Sequence, residues 1–239
     1  RGVNLNIPKK LAELGVISLP MDFLPIENSP VKQDWPNMYW RAGQRILSAA
    51  RIIRANPLLH SLYIGNFSCG PDSFIIKFFD EEMSGKPYLH LELDAHSADA
   101  GAITRCEAFL DSIEKTKMAD PGPLPQKKKS NGHISADRTI FMPRMSDHSL
   151  AVAAAFQYCG INAEVLPEST SETVDIGKKY VSGKECYPCA VTTGDMVKKI
   201  MEPGFDPDRS AFFMPSGSGP CRFGQYNVFN RLVIKELGL

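Results

Sequence analysis

The sequence has no apolar run able to cross a bilayer: its longest pieces, such as Ala151 to Phe156, fall far short of the about 20 residues that a membrane helix needs. Charge of one sign is equally lacking. With 27 Lys+Arg against 27 Asp+Glu, there is no cationic surplus to wrap nucleic acid or hold an anionic membrane, and neither partner is expected. Neither G-x-x-x-x-G-K-[ST] nor G-x-G-x-x-G occurs, so ATP or a dinucleotide is not expected to bind by those modes. Six cysteines in 239 residues are too few for a disulfide-dense scaffold, and two of them form Cys186-Tyr187-Pro188-Cys189. A reducing compartment and a redox or metal role are the better expectation. Arg1-Gly2-Val3-Asn4 lacks the pattern of a signal peptide, so the cytoplasm is the expected location.

Aromatic residues, by contrast, are plentiful. The 13 Phe, 7 Tyr and 2 Trp supply enough apolar surface to offset the entropy of ordering the chain. At about 150 residues per domain the length allows one large or two small lobes. Gly, Pro, Lys and Ser crowd the middle (ADPGPLPQKKKSNG), giving an expected first α/β lobe at 1–118, a linker or surface loop at 119–136 and a second lobe at 137–239. Position 1 is not Met, and the chain is expected to be a piece of a longer polypeptide.

The two halves share an order of signals. Ile7-Pro8 opens a helical pattern to Leu14, then Gly15, the strand-like Val16 to Leu19 and Pro20; Met142-Pro143 precedes an alanine-rich helix to Cys159, then Gly160, Ile161 to Leu166 and Pro167. Each half also places a cysteine on a Gly/Pro loop between a strand and a helix. Leu62-Tyr63-Ile64 leads through Cys69-Gly70-Pro71 into a helix over 73–79, and Ala211 to Met214 leads through Gly219-Pro220-Cys221 into a helix from about Phe223. A third strand, Tyr88 to Leu93, ends in Asp94-Ala95-His96-Ser97-Ala98-Asp99 before a helix over 102–113, and Met38 to Ala55 has a long helical pattern. Strand-loop-helix units in series predict an α/β fold of two Rossmann-like lobes, mainly parallel sheets flanked by helices, with the site in the cleft between them.

Cys69, Cys186 and Cys221, with Cys189 as a fourth, are candidate thiolate ligands. Iron-sulfur clusters need soft thiolates on loops whose backbone amides can approach the sulfurs, and all three segments are rich in Gly or Pro. The spacing is not the compact run of a small ferredoxin or the paired motif of a zinc ribbon. Buried cysteines that act as small apolar residues are the alternative, expected for Cys106 and Cys159. A thioredoxin-like use of Cys186 and Cys189 is disfavoured because the pair follows a Gly-Lys-Glu turn. His96 with Asp94 and Asp99 could handle protons, against the plainer reading that Asp99 caps the next helix. Asp72 has the same capping reading, Thr192-Thr193-Gly194-Asp195 has the composition of a phosphate-binding turn, and Lys127-Lys128-Lys129 that of a solvated face.

Four phrases carry a resemblance: Asn66-Phe67-Ser68-Cys69-Gly70-Pro71-Asp72-Ser73-Phe74, Glu92 to Gly101, Ser182-Gly183-Lys184-Glu185-Cys186-Tyr187-Pro188, and Gly219-Pro220-Cys221-Arg222-Phe223-Gly224-Gln225-Tyr226. Together they resemble the iron-sulfur family of 2-hydroxyacyl-CoA dehydratases and benzoyl-CoA reductases, most closely the CoA-substrate-specific enzyme activase-related and double-cubane cluster proteins. The resemblance implies a low-potential cluster, 4Fe-4S in the first place and a double cubane as the variant. Cys69, Cys186 and Cys221 fall on the ligand loops, with Cys189 a less certain match, and three-cysteine ligation would leave one iron open to water or substrate. It also implies an ATP-hydrolysing activator protein or domain as electron donor, a small-molecule or acyl-CoA substrate, a dehydratase or reductase role, and an anaerobe's cytoplasm; a homodimer is compatible with it. His96 or Asp99 would supply the proton. A non-catalytic electron-transfer or scaffold domain of a larger activase-related protein is the alternative.

Overall fold

The computed structural model describes residues 4–28, 31–94, 96–115 and 137–239. The chain divides into two compact units, Arg1–Gln126 and Lys127–Leu239. The expected loop at 119–136, with its three lysines, lies outside the described residues. Small parallel sheets flanked by helices make the architecture α/β. Among the described residues no helix is long and apolar enough to cross a membrane.

The first unit runs α1 (Ile7–Glu13), two short 3-10 turns, α2 (Arg41–Ala55), β1 (Ser61–Asn66), α3 (Gly70–Met83), β2 (Tyr88–Leu93) and α4 (Asp99–Lys115). β1 and β2 are parallel, with Ser61 opposite Tyr88 and Asn66 opposite Leu93. Alternation along β2 divides its side chains between two faces. Leu89, Leu91 and Leu93 pack with Ala102 and Cys106 of α4 and Ile7 of α1, so Cys106 is a core residue as its helical position predicts. Tyr88 points the other way, its ring 4.8 Å from that of Phe79 on α3. α2 covers α3 with a polar knot at its margin: the buried Glu82 carboxylate accepts two bonds from Arg51, at 2.8 and 2.9 Å, and one from the Trp35 indole N–H. A buried carboxylate is tolerated only with such partners. Lys86 is likewise buried, and its ammonium donates to the carbonyls of Ile53 and Asn56 at the carboxyl end of α2, where cations are favoured.

Val16 to Leu19 is not the expected strand. Among the described residues it has no neighbouring strand to satisfy its backbone, and Ile17 is 95% exposed. The glycine that precedes it does end α1: Gly15 has φ 78°, and the Val16 N–H bonds back to the Leu11 carbonyl at 2.9 Å. Gly160 repeats this closure with φ 79° and an Ile161 N–H to Phe156 carbonyl bond of 3.0 Å.

The second unit runs β3 (Thr139–Met142), α5 (His148–Tyr158), β4 (Ala163–Val165), α6 (Ser171–Gly177), α7 (Tyr187–Ile200), β5 (Ser210–Phe212), a 3-10 turn (Arg222–Gln225) and α8 (Tyr226–Glu236). Its sheet has the order β4-β3-β5, all parallel, over a core of Ile140, Met142, Ala153 and Ala163. Cys159 departs from its expected burial. It stands at the carboxyl cap of α5, where the chain turns outward, and is exposed.

α6 and α7 cross at two glycines. A Cβ on Gly177 would lie 1.9 Å from the Ala190 carbonyl oxygen, and one on Gly194 would lie 1.8 Å from that of Thr173. Each helix therefore presses its backbone into the gap left by the other's glycine. Gly194→Ala would gain about 1 kcal/mol in an unconstrained helix. Here overpacking against a carbonyl reverses the sign, and denaturant titration of the second unit should show a loss of about 3 kcal/mol. Unchanged or increased stability would refute the crossing.

Candidate functional site: three cysteines at helix starts

Cys69, Cys186 and Cys221 each occupy the residue that caps a helical segment. Their backbones are extended, with φ/ψ of −67°/119°, −65°/145° and −70°/128°, and the next residue is helical. Local sequence explains the first two starts: Pro71 and Pro188 fall in the first turn, where a missing N–H costs nothing and a fixed φ suits the helix. None of the three sulfurs caps its own helix. The peptide N–H groups of a first turn favour negative charge beside it, which is the environment a thiolate requires.

In the second unit Cys186 meets a buried phenol. Tyr226, the first residue of α8, is buried, and its hydroxyl lies 2.6 Å from Cys186 Sγ. Burial pushes the phenol pKa up, and the hydrogen bond to Cys186 and the neighbouring charges of Cys186, Cys189 and Cys221 push the same way. The phenol thus stays protonated and is the better donor of the pair. Cys189 is fully buried at the third position of α7, whereas Cys186 is half-buried and Cys221 exposed. Before Cys186 the turn is held by Glu185, whose carboxylate accepts from the Ser182 N–H and hydroxyl, both at 2.9 Å. The donor chemistry suits a thiolate-ligated metal group. Among the described residues, however, no three His, Cys, Asp or Glu side chains are gathered as a ready cage.

In the first unit Cys69 closes a tight turn after β1. Its N–H bonds to the Asn66 carbonyl at 3.0 Å, and Ser68 is left-handed at φ 58°. Asp72 is not the cap of α3, which begins at Gly70. Its carboxylate reaches back to β1, accepting from the Tyr63 hydroxyl at 3.0 Å and the Asn66 N–H at 3.3 Å. Burial, then the Asp72 charge, raises the Tyr63 pKa, and Cys69 adds to the effect. His90, opposite Tyr63 in the ladder, completes this polar group: a Cβ on Gly65 would lie 3.1 Å from His90 Nε2 and 3.3 Å from Asp72 Oδ2. No motif marks Tyr63 or His90. Only the pairing of β1 with β2 brings them together with Asp72.

His96 sits exposed on the turn after β2, its N–H bonded to Asp94 at 2.9 Å. Asp94 is held below the ordinary carboxylate range, chiefly by the Ser97 hydroxyl. Asp99 is the first residue of α4, 3.5 Å from the ammonium of Lys10. Cavities open on the second unit, two of them among the described residues at opposite ends of its sheet. The larger, about 390 Å³, faces the amino ends of β3 and β5 through Thr139 and Ser210. The smaller, about 200 Å³, lies at their carboxyl ends, between Met142, Pro143, His148, Phe213 and Pro215. Parallel sheets bind ligands at the carboxyl edge where strand order reverses, and in β4-β3-β5 that point lies between β3 and β5, beside the smaller cavity.

Thr192 to Asp195 is not a phosphate-binding turn but the buried interior of α7. Thr193 donates to Asn230 of α8 at 3.1 Å, and Asp195 accepts from Ser169 at 2.7 Å. Compared with protein-family models, curated proteins and solved structures, the chain finds no match. Burial raises the Asp195 pKa against the lowering effects of Ser169, Thr173 and Lys198. A raised folded pKa means stability that is full below the unfolded value of about 3.9 and lost as pH rises through the folded one. Asp195→Asn should therefore gain stability relative to the parent as pH increases from about 4 to neutrality. Denaturation curves across that range that stay parallel would refute this.

Proposed function

We propose that the chain is an iron-sulfur protein related to the 2-hydroxyacyl-CoA dehydratases and benzoyl-CoA reductases. On this reading its two units are Rossmann-like lobes that accept low-potential electrons from an ATP-hydrolysing activator for transfer to a small-molecule or acyl-CoA-type substrate. The observation that carries the reading is the shared position of Cys69, Cys186 and Cys221 as caps of helical segments. Those three would hold the group. A bound 4Fe-4S cluster would supply one-electron chemistry at low potential.

The residues around the cysteines support the same use. The Tyr226 hydroxyl against Cys186 is a hydrogen bond of the kind that tunes a ligand sulfur. His96 and Asp99 follow β2, at the sheet edge where Cys69 follows the parallel β1. They are the proposed proton-handling groups. The cavity of about 200 Å³ at the carboxyl ends of β3 and β5 would take part of the substrate, since β5 leads directly into the loop that carries Cys221.

Anaerobically purified or reconstituted protein should contain iron and acid-labile sulfide in stoichiometric amounts and give a cluster EPR signal after dithionite reduction. Cys69→Ala, Cys186→Ala and Cys221→Ala should each lose most of both. Iron-free protein after reconstitution, with all three thiols alkylated by a small reagent, would overturn the proposal.

A further inference from the structure

The Cys186-Tyr187-Pro188-Cys189 segment takes on a second meaning once α7 is seen to begin at Tyr187. A turn before the pair argues against redox use from sequence; a helix starting immediately after its first cysteine argues for it. Cys186 is the cap, half-buried and bordered by Tyr187, which is 64% exposed. Cys189 lies three residues on and is fully buried. The Cys189 N–H to Cys186 carbonyl bond of 2.8 Å closes the turn between them. Such a turn holds its end Cα atoms within about 7 Å. Disulfides span about 4.4–6.8 Å between Cα atoms, so the pair can be bridged with little movement of the backbone.

The two sulfurs are also unequal in the way exchange requires. Attack on an external disulfide needs an accessible sulfur, and resolution needs a second one shielded from solvent but adjacent to the first. Cys186 is the more accessible of the two and Cys189 is shielded. The Tyr226 hydroxyl, 2.6 Å from Cys186 Sγ, is a fixed donor that stabilises the reduced sulfur.

We infer that in the metal-free protein Cys186 and Cys189 form a reversible dithiol–disulfide couple, with Cys186 the attacking sulfur and a low-molecular-weight disulfide the oxidant. Cys186 attacks one sulfur of the oxidant, forming a mixed disulfide and releasing one thiol. Cys189 then attacks the Cys186 sulfur, forming the intramolecular disulfide and releasing the second thiol. The cysteine pair loses two electrons and two protons, and the oxidant gains them. The inference goes beyond the cluster reading and does not rest on it. Where both hold, the disulfide withdraws Cys186 from the ligand set, so oxidation of the metal-free chain blocks cluster loading.

The test equilibrates the full chain, freed of metal by chelator under reducing conditions, in mixtures of glutathione and glutathione disulfide. Samples are acid-quenched, alkylated and mapped by peptide mass. The expected product is a Cys186–Cys189 disulfide within one peptide, in protein whose circular dichroism is unchanged. Cys189→Ser should stop at a glutathione adduct on Cys186, and Cys186→Ser should leave Cys189 unmodified. Tyr226→Phe keeps the buried ring and loses the donor, so its midpoint should move about tenfold toward disulfide, equal to about 30 mV for this two-electron couple. Both thiols alkylated in the most oxidising mixture, or a Cys186–Cys221 disulfide in their place, would overturn the inference. Because no metal is present, these results are independent of the iron analysis.

Discussion

A strand that runs parallel to its neighbour must hand the chain to a return segment at its carboxyl edge, and this constraint sets the chemistry of both units. β1 ends at Asn66 and α3 begins at Gly70, so three residues make the corner and Cys69 is the last of them. The turn is so short that Ser68 takes a left-handed conformation and Asp72, one turn into the helix, bonds back to the end of the strand. After β5 the connection is longer, but it too ends at a cysteine that caps a helical segment. A cysteine at that corner sits beside the N–H groups of a first turn wherever the rest of the fold lies.

Cys186 reaches an equivalent position by another route. The element before α7 is the helix α6, not a strand; the crossing with α6 fixes α7, and that crossing depends on Gly177 and Gly194 letting two backbones meet. The Thr193 hydroxyl then joins α7 to Asn230 of α8 deep in the unit, where water cannot compete. With the two helices tied at their middles, the start of α8 falls beside the start of α7. Tyr226 touches Cys186 for that reason. The contact between phenol and thiol is thus a consequence of helix packing rather than of nearness in sequence.

What could be read from the chain follows the range of the forces involved. Helix ends at Gly15 and Gly160, the strands around Leu62 and Tyr88 and the core position of Cys106 rest on local patterns, and the structure has them. Val16 to Leu19 carries the composition of a strand but lacks a ladder partner among the described residues, and composition cannot supply one. Thr192 to Asp195 looks like a turn because small polar residues favour turns. Here the same smallness admits a neighbouring helix. Tyr63, His90 and Tyr226 were invisible as site residues, since their partners Asp72 and Cys186 come to them only through strand register and helix crossing.

Burial separates the roles of the two cysteines in the C-x-x-C pair. A thiolate that binds a group shared with other chain segments has to face outward from its own helix, as half-buried Cys186 and exposed Cys221 do. Cys189 is fully enclosed in the first turn of α7, its N–H on the Cys186 carbonyl. On the proposed reading, ligation by three thiols would leave a coordination position for water or substrate. Enclosure is no obstacle to pairing with Cys186, because that partner lies across one hydrogen-bonded turn. In the inferred couple the same enclosure would shield Cys189 as the resolving thiol.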